Sequence, residues 1–153
     1  MISIISPVFQ EQNGIEQFVN EIQNVLKKID QKSEIILIDD GSKDLTNKIL
    51  IELYKKHDNV KVIVFEKNYG HQNAILAGLK KSIGDIIVTI DSDLQDPPEV
   101  ILKLLEKYND GYEIVNTQRI KRQGEKIIRL FLIKFFYLIS RKIFRNSLIP
   151  NSG

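Results

Sequence analysis

The chain contains no cysteine. That absence excludes a disulfide framework and any thiolate-held metal, and it suits a reducing cytoplasm. The phosphate loop G-x-x-x-x-G-K-[ST] is missing, and no G-x-G-x-x-G follows the first apolar run, which argues against a Walker site and a Rossmann dinucleotide site. Only two histidines occur, His57 and His71, and neither has a second His or Cys at ligand spacing. Both read as polar surface residues, and zinc is set aside. No internal repeat or low-complexity segment stands out. The opening "MISIISPVF" has no basic lead and reads as a buried strand rather than a signal peptide.

What remains is a chain of 153 residues, 42% hydrophobic and 27% charged. These are globular values for one domain with its own core. Ile2–Phe9, Glu34–Asp40, Val60–Glu66, Asp85–Asp91 and Tyr112–Gln118 are short, rich in Ile and Val, and bounded by polar residues. They read as strands. Between them, Ile15, Phe18, Val19, Ile22, Val25, Leu26 and Ile29 keep a helical spacing, as do Leu45, Ile49, Leu50 and Leu53, then Ala74, Ile75, Ala77, Gly78 and Leu79. Alternating strands and helices, with strands apolar on both faces, predict an α/β fold: a mostly parallel sheet with helices on both sides.

Ligands of such sheets sit beyond the carboxyl ends of the strands. The polar residues there are Pro7 and Glu11, then Asp39-Asp40-Gly41-Ser42, then Lys67-Asn68-Tyr69-Gly70, then Asp91-Ser92-Asp93. In an extended D-x-D the two carboxylates point to one side and repel. A hard cation such as Mg²⁺ or Mn²⁺ removes that repulsion, with Gln95 able to add a neutral oxygen. The alternative is an Asp turn or cap, because Pro97-Pro98-Glu99 looks like a helix start. "DDGS" reads as a turn with Gly41 at positive φ and Asp44 capping the next helix, or as an Asp40 that accepts hydrogen bonds from a base or ribose. Gly70 stands before a helix whose backbone N–H groups could hold a phosphate, with Lys67 near that charge.

The set "SPVFQE", "IDDGSKDLT", "KNYGHQNAILAGL" and "IDSDLQDPPE" resembles the catalytic domain of glycosyltransferase family 2, with its GT-A fold. "DLQDPPE" is similar to the polyprenyl-phosphate glycosyltransferases, including dolichol-phosphate mannose synthases. The resemblance covers essentially the whole chain. It implies a nucleoside-diphosphate sugar as donor and inverting transfer. It places Pro7, Glu11 and Asp40 along the nucleoside, Lys67, Asn68, Gly70 and Gln72 near the nucleotide and diphosphate, and Asp91, Asp93 and Gln95 on the metal.

Charge is unevenly distributed. Residues 119–153 hold nine Lys/Arg against one acid, Glu125, and residues 1–118 hold 13 bases against 19 acids. The two parts, 1–118 as a nucleotide-sugar-binding core and 119–153 as an acceptor- and membrane-facing segment, are expected to meet different partners. Between Lys126 and Arg145 six basic residues are too many for a membrane span. On a helical wheel Ile128, Leu132, Phe135, Phe136, Ile139 and Ile143 share one arc, as suits a helix lying on a membrane surface, packing on a core, or self-associating. A peripheral position on the inner face of the membrane and a homo-oligomer formed through this helix follow as expectations. Nucleic acid is not expected, because no recognition motif accompanies the basic residues. The resemblance implies that Arg119, Arg122 and Arg129 bind the lipid phosphate, a role that suits arginine's bidentate geometry.

Family members normally continue past "NSG" with an acidic motif, implicated as the catalytic base, and then transmembrane helices. The expectation is therefore a base beyond Gly153, a truncated chain, and donor binding with little transfer. Two other acceptor or activity classes stay open: family 2 transfer to a polysaccharide or protein, and a non-catalytic sugar-nucleotide-binding module. A nucleotidyltransferase would carry a glycine-rich basic loop after the first strand, which "SPVFQEQNG" does not resemble.

Overall fold

The computed structural model of the protein describes residues 1–117. Met1–Glu106 form one compact unit, and Lys107 opens a second, of which residues 107–117 are described. Four strands, β1 (Ile2–Val8), β2 (Ser33–Asp39), β3 (Val60–Val64) and β4 (Ile86–Thr89), make one sheet. Its order is β3-β2-β1-β4, and every neighbouring pair is parallel. Helices α1 (Ile15–Leu26), α2 (Thr46–Lys56) and α3 (His71–Lys81) return the chain between strands, and α4 (Val100–Asn109) follows β4.

The burial pattern explains the sequence pattern. Both central strands are covered on both faces, so Ile4 and Ile5 of β1 and Ile35 to Ile38 of β2 are all buried. The edge strands are not: Lys61 and Val64 of β3 and Ile87 and Thr89 of β4 are exposed. On one face of the sheet, Phe18 and Ile22 of α1, Leu50 of α2 and Ile101 of α4 pack with Ile4, Leu37 and Val88. On the other, Ala74 of α3 packs with Ile5, Ile36 and Ile38. Every α1 residue between Ile15 and Leu26 that carries the helical spacing is buried. Prolines open α4: Val100 N–H bonds Pro97 O at 3.0 Å and Ile101 N–H bonds Pro98 O at 3.1 Å, so the prolines fill positions that need no donor.

Register sets the ends. Val8 lies opposite Asp39, and Asp39 opposite Val64, so three strands stop at one level. β4 pairs Thr89 with Ile5, and Ile90 N–H still bonds Ile5 O at 3.1 Å. Asp91 thus leaves the sheet beside Pro7. β1 leads to β2 on one side while β4 flanks its other side, which puts the topological switch point between the exits of β1 and β4.

One expected strand is absent. Tyr112–Thr117 form no strand, and Gln118 lies outside the described residues. Ile114 is 82% exposed. Strand propensity reflects packing against neighbours, and this segment meets no ladder partner among the described residues. Arg119, Arg122, Arg129 and the 126–145 segment also lie outside the described residues. Among the described residues, no helix is long and apolar enough to cross a membrane.

Candidate functional site

Each strand exit is fixed by hydrogen bonds to its neighbours. The β1 exit turns at Gln10, whose φ is 55°. Its backbone is stapled to the segment after β2: Gln10 N–H donates to Ser42 Oγ at 3.0 Å, and Glu11 N–H to Thr46 Oγ1 at 2.9 Å. In return, Leu45 N–H donates to Gln12 Oε1 at 3.1 Å. Asp44 is expected from the sequence to cap the next helix; instead α2 takes its N-cap at Leu45, without a side-chain cap bond, and Asp44, one residue earlier, accepts from Thr46 N–H at 3.0 Å as an Asx turn. Glu11 is thereby held at a fixed place beside the switch point.

The "DDGS" turn forms as read, with Gly41 at φ 72°. Asp39 closes it, accepting from Ser42 N–H at 2.9 Å and from Asn47 Nδ2 at 3.1 Å. Asp40 is 3% exposed, and both its oxygens are engaged. Oδ1 accepts from Tyr69 N–H at 2.7 Å and Oδ2 from Gly70 N–H at 2.9 Å. Gly70, at φ 93°, is the N-cap of α3. Lys67 Nζ lies 5.4 Å from the Tyr69 ring centroid, and that ring meets Phe65 edge-on. Asn68 and Gln72 are exposed on either side of Gly70.

At the β4 exit the middle residue of the acidic triplet is the anchor. Ser92 is 5% exposed and donates from Oγ to Pro7 O at 3.0 Å, tying β4's exit to β1. Asp91 and Asp93 stay accessible on either side of it. Asp91 Oδ1 is 3.8 Å from His71 Nε2, too far for a hydrogen bond. Asp93 Oδ1 accepts from Gln95 N–H at 3.0 Å across Leu94, whose φ is 57°. So the turn reading of the triplet is realised in part: Asp93 does cap a local turn, while Asp93 Oδ2 and both Asp91 oxygens accept no hydrogen bond among the described residues.

The site is electrically acidic. Burial raises the Glu11 carboxyl above the ordinary range, and the negative charges of Asp93 and Asp44 raise it further. Neither Glu11, Asp91 nor Asp93 pairs with a lysine or arginine among the described residues. Among those residues no group of three or more His, Asp or Glu converges on one point. Two carboxylates without a lysine or arginine partner among the described residues, with a third acid nearby, still suit a hard divalent cation. Mg²⁺ and Mn²⁺ are commonly held by one or two carboxylates and completed by water and substrate phosphate.

The structure therefore gathers Pro7, Glu11, Asp40, Gly70, Asp91 and Asp93 around neighbouring strand exits. Sequence reasoning passed over the side chains that fix them, namely Asp39, Ser92 and Thr46, and it set His71 aside. Ser92 lies inside a motif already singled out, but only pairing of β4 beside β1 shows that its hydroxyl meets Pro7 O.

An open parallel sheet with paired carboxylates and a glycine-led helix at its switch point is the layout of α/β domains that take phosphorylated ligands. The sequence profile described as "Glycosyl transferase family 2" matches residues 3–151, and the chain belongs to that family. It is 41% identical over 135 residues to an uncharacterized glycosyltransferase of Bacillus subtilis, covering 88% of this chain and 42% of that one. It is 39% identical over 123 residues to the undecaprenyl-phosphate 4-deoxy-4-formamido-L-arabinose transferase of Proteus mirabilis, covering 80% of this chain and 38% of the relative. The chain thus spans less than half the length of these relatives. Among solved structures it is similar to the glucosyl-3-phosphoglycerate synthase of Mycobacterium tuberculosis in complex with Mn²⁺, UDP and glucosyl-3-phosphoglycerate. That match has a TM-score of 0.60 and 25% identity, over 92% of this chain and 52% of that one. The fold is of the GT-A type.

Proposed function

We propose that the protein takes part in inverting transfer of a sugar from a nucleoside-diphosphate sugar to a polyprenyl phosphate, with Mg²⁺ or Mn²⁺ bound. The observation that carries this reading is the switch-point crevice, where Asp91 and Asp93 stand beside Glu11 without a lysine or arginine partner among the described residues. Family membership and the polyprenyl-phosphate relatives support the choice of substrates.

In this reading the nucleoside lies against the β1 and β2 exits, at Pro7, Glu11 and the Asp40 turn. Its diphosphate faces Lys67, Asn68, Gly70 and the first turn of α3 at Gln72, where helix N–H groups favour an anion. Asp91, Asp93 and Gln95 hold the cation. A cation there neutralises charge growing on the departing diphosphate. The C–O bond from the anomeric carbon to the diphosphate breaks, its electron pair leaves with the diphosphate, and an acceptor phosphate oxygen forms the new bond from the opposite face. That oxygen is already ionised, so it asks little of a general base.

The acceptor half is proposed from the sequence of residues 119–153. Arg119, Arg122 and Arg129 bind the lipid phosphate, and the 126–145 segment rests on the inner face of the membrane and pairs with a second copy.

Thermal-shift titration with a panel of nucleotide sugars tests the donor half. One donor should raise the melting temperature by several degrees, only with MnCl₂ present, and Asp93→Asn should abolish the rise. A panel without any Mn²⁺-dependent shift would overturn the reading. Product that partitions into organic solvent marks a polyprenyl acceptor, and product that stays in water points to a polysaccharide or protein.

A further inference from the structure

The chain leaving β4 alternates between inward and outward residues. Ser92 is buried and Leu94 half-buried, whereas Asp93 and Gln95 are exposed and the Asp91 side chain is half-exposed. The two inward residues are tied to different things. Ser92 Oγ donates to Pro7 O at 3.0 Å, which joins the β4 exit to the β1 exit. The Leu94 side chain packs against the core cluster that holds Phe18, Val88 and Ile101. At this inward position Leu94 takes φ 57°. That left-handed conformation is costly for a residue with a bulky side chain. Among the described residues only Gln10 and Leu94 combine a side chain with positive φ, and they follow β1 and β4, on the two sides of the switch point. Such strain persists where the surroundings over-determine it. Here the surroundings are the Ser92 bond, the packed Leu94 side chain, and the Gln95 N–H that donates to Asp93 Oδ1 at 3.0 Å across Leu94.

We infer that Ser92 and Leu94 are positioning residues, one a polar pin and the other an apolar pin, which keep Asp91, Asp93 and Gln95 on the solvent side of the turn before a cation arrives. Neither pin is itself a ligand. The pinning stands on the contacts above. Its consequence rests on the donor-site reading, in which those three outward residues hold Mg²⁺ or Mn²⁺. A turn that loses a pin samples other arrangements. The apparent affinity for a cation then falls with the fraction of molecules that keep the competent one. A lost pin therefore weakens cation binding more than an equal loss of stability elsewhere in the fold.

The full chain tests this by titration with MnCl₂, alone and with inorganic pyrophosphate, read from the electron paramagnetic resonance signal of free Mn²⁺. Ser92→Ala removes the bond to Pro7 O and should weaken Mn²⁺ binding about fivefold, as expected for one net hydrogen bond. Ser92→Thr keeps the hydroxyl and should restore most of the affinity. Leu94→Gly relieves the left-handed backbone but deletes the apolar pin, so it should weaken Mn²⁺ by about tenfold. Leu94→Met keeps an apolar side chain of similar volume and should bind nearly as the wild type does. Ile22→Val, in α1 and remote from the turn, is the control for general destabilisation. It should lower the melting temperature and leave Mn²⁺ affinity unchanged. Wild-type affinity in Ser92→Ala or in Leu94→Gly would overturn the inference, and so would an equal loss in Ile22→Val. A wild type that binds no Mn²⁺ under either condition fails differently: it sinks the cation reading itself, and the positioning role with it.

Discussion

Glu34 sits at the start of β2, 2% exposed, at the end of the sheet away from the site. Lys61 Nζ of β3 is 2.5 Å from its Oε2, and Oε1 accepts from Ser3 Oγ at 2.6 Å and from Ile83 N–H at 2.9 Å. Burial alone would raise this carboxyl, but the bonds from Lys61, Ser3 and Ile83 outweigh it and hold the pKa low. Its stabilisation is therefore complete above the unfolded value, roughly 4.3, and fades as pH falls through the lower folded value. Glu34→Gln should cost about 1–3 kcal/mol at pH 7 by urea denaturation, with the difference shrinking below pH ~4. Glu11, at the other end, is shifted up, so its ionisation opposes folding. Glu11→Gln should raise the melting temperature at pH 7, and that gain should vanish once acid protonates Glu11 in both states. An unchanged melting temperature at pH 7 would contradict the strained acidic cluster. Neither load was readable from residue type, because both depend on which strand lies alongside.

Among the elements, α3 shows how a weak sequence signal conceals a tight contact. Gly78 lowers helix propensity by about 1 kcal/mol relative to alanine. It is kept because α3 lies directly on the sheet: a Cβ there would strike Ile5 Cγ2 and approach Ile38 Cδ1 to 2.9 Å. Overpacking costs about 1–3 kcal/mol, which exceeds or cancels the propensity gain. Gly78→Ala is expected to lower stability despite improving the helix, and a stabilised variant in urea titration would show that α3 can lift off the sheet freely. The spacing of α1 and the "DDGS" turn were legible because each follows from local periodicity or local φ. Residues 112–117 were misread because their Ile and Val content suits a strand only where a neighbour accepts its backbone, and none does among the described residues.

At the scale of the whole molecule, the charge division is a property of the sequence. Residues 119–153 carry nine bases and one acid, whereas Glu11, Asp44 and Asp93 of the core stand near one another at the switch point. If the basic segment meets anionic lipid, as proposed, its attraction is worth up to about 1 kcal/mol per basic residue near the surface and is screened by salt. Co-sedimentation with phosphatidylglycerol vesicles should be strong at low ionic strength and fall sharply by 0.5 M NaCl. Vesicles of phosphatidylcholine alone should capture far less. Equal capture by both, at either salt concentration, would remove the electrostatic part of the membrane proposal.

The identity of four strands and of the helices between them, the turn at Gly41, and the candidacy of Asp91, Asp93 and Glu11 were set by sequence alone, because periodicity, positive φ and clustered charge are local properties. Tertiary structure decided how the residues at the strand exits are held. Parallel pairing brings Tyr69 and Gly70 to Asp40 and Pro7 O to Ser92, and leaves Asp91 and Asp93 at the open crevice. Residues some 30 or 85 positions apart meet there only because β1 lies between β2 and β4, and no local pattern encodes that neighbourhood.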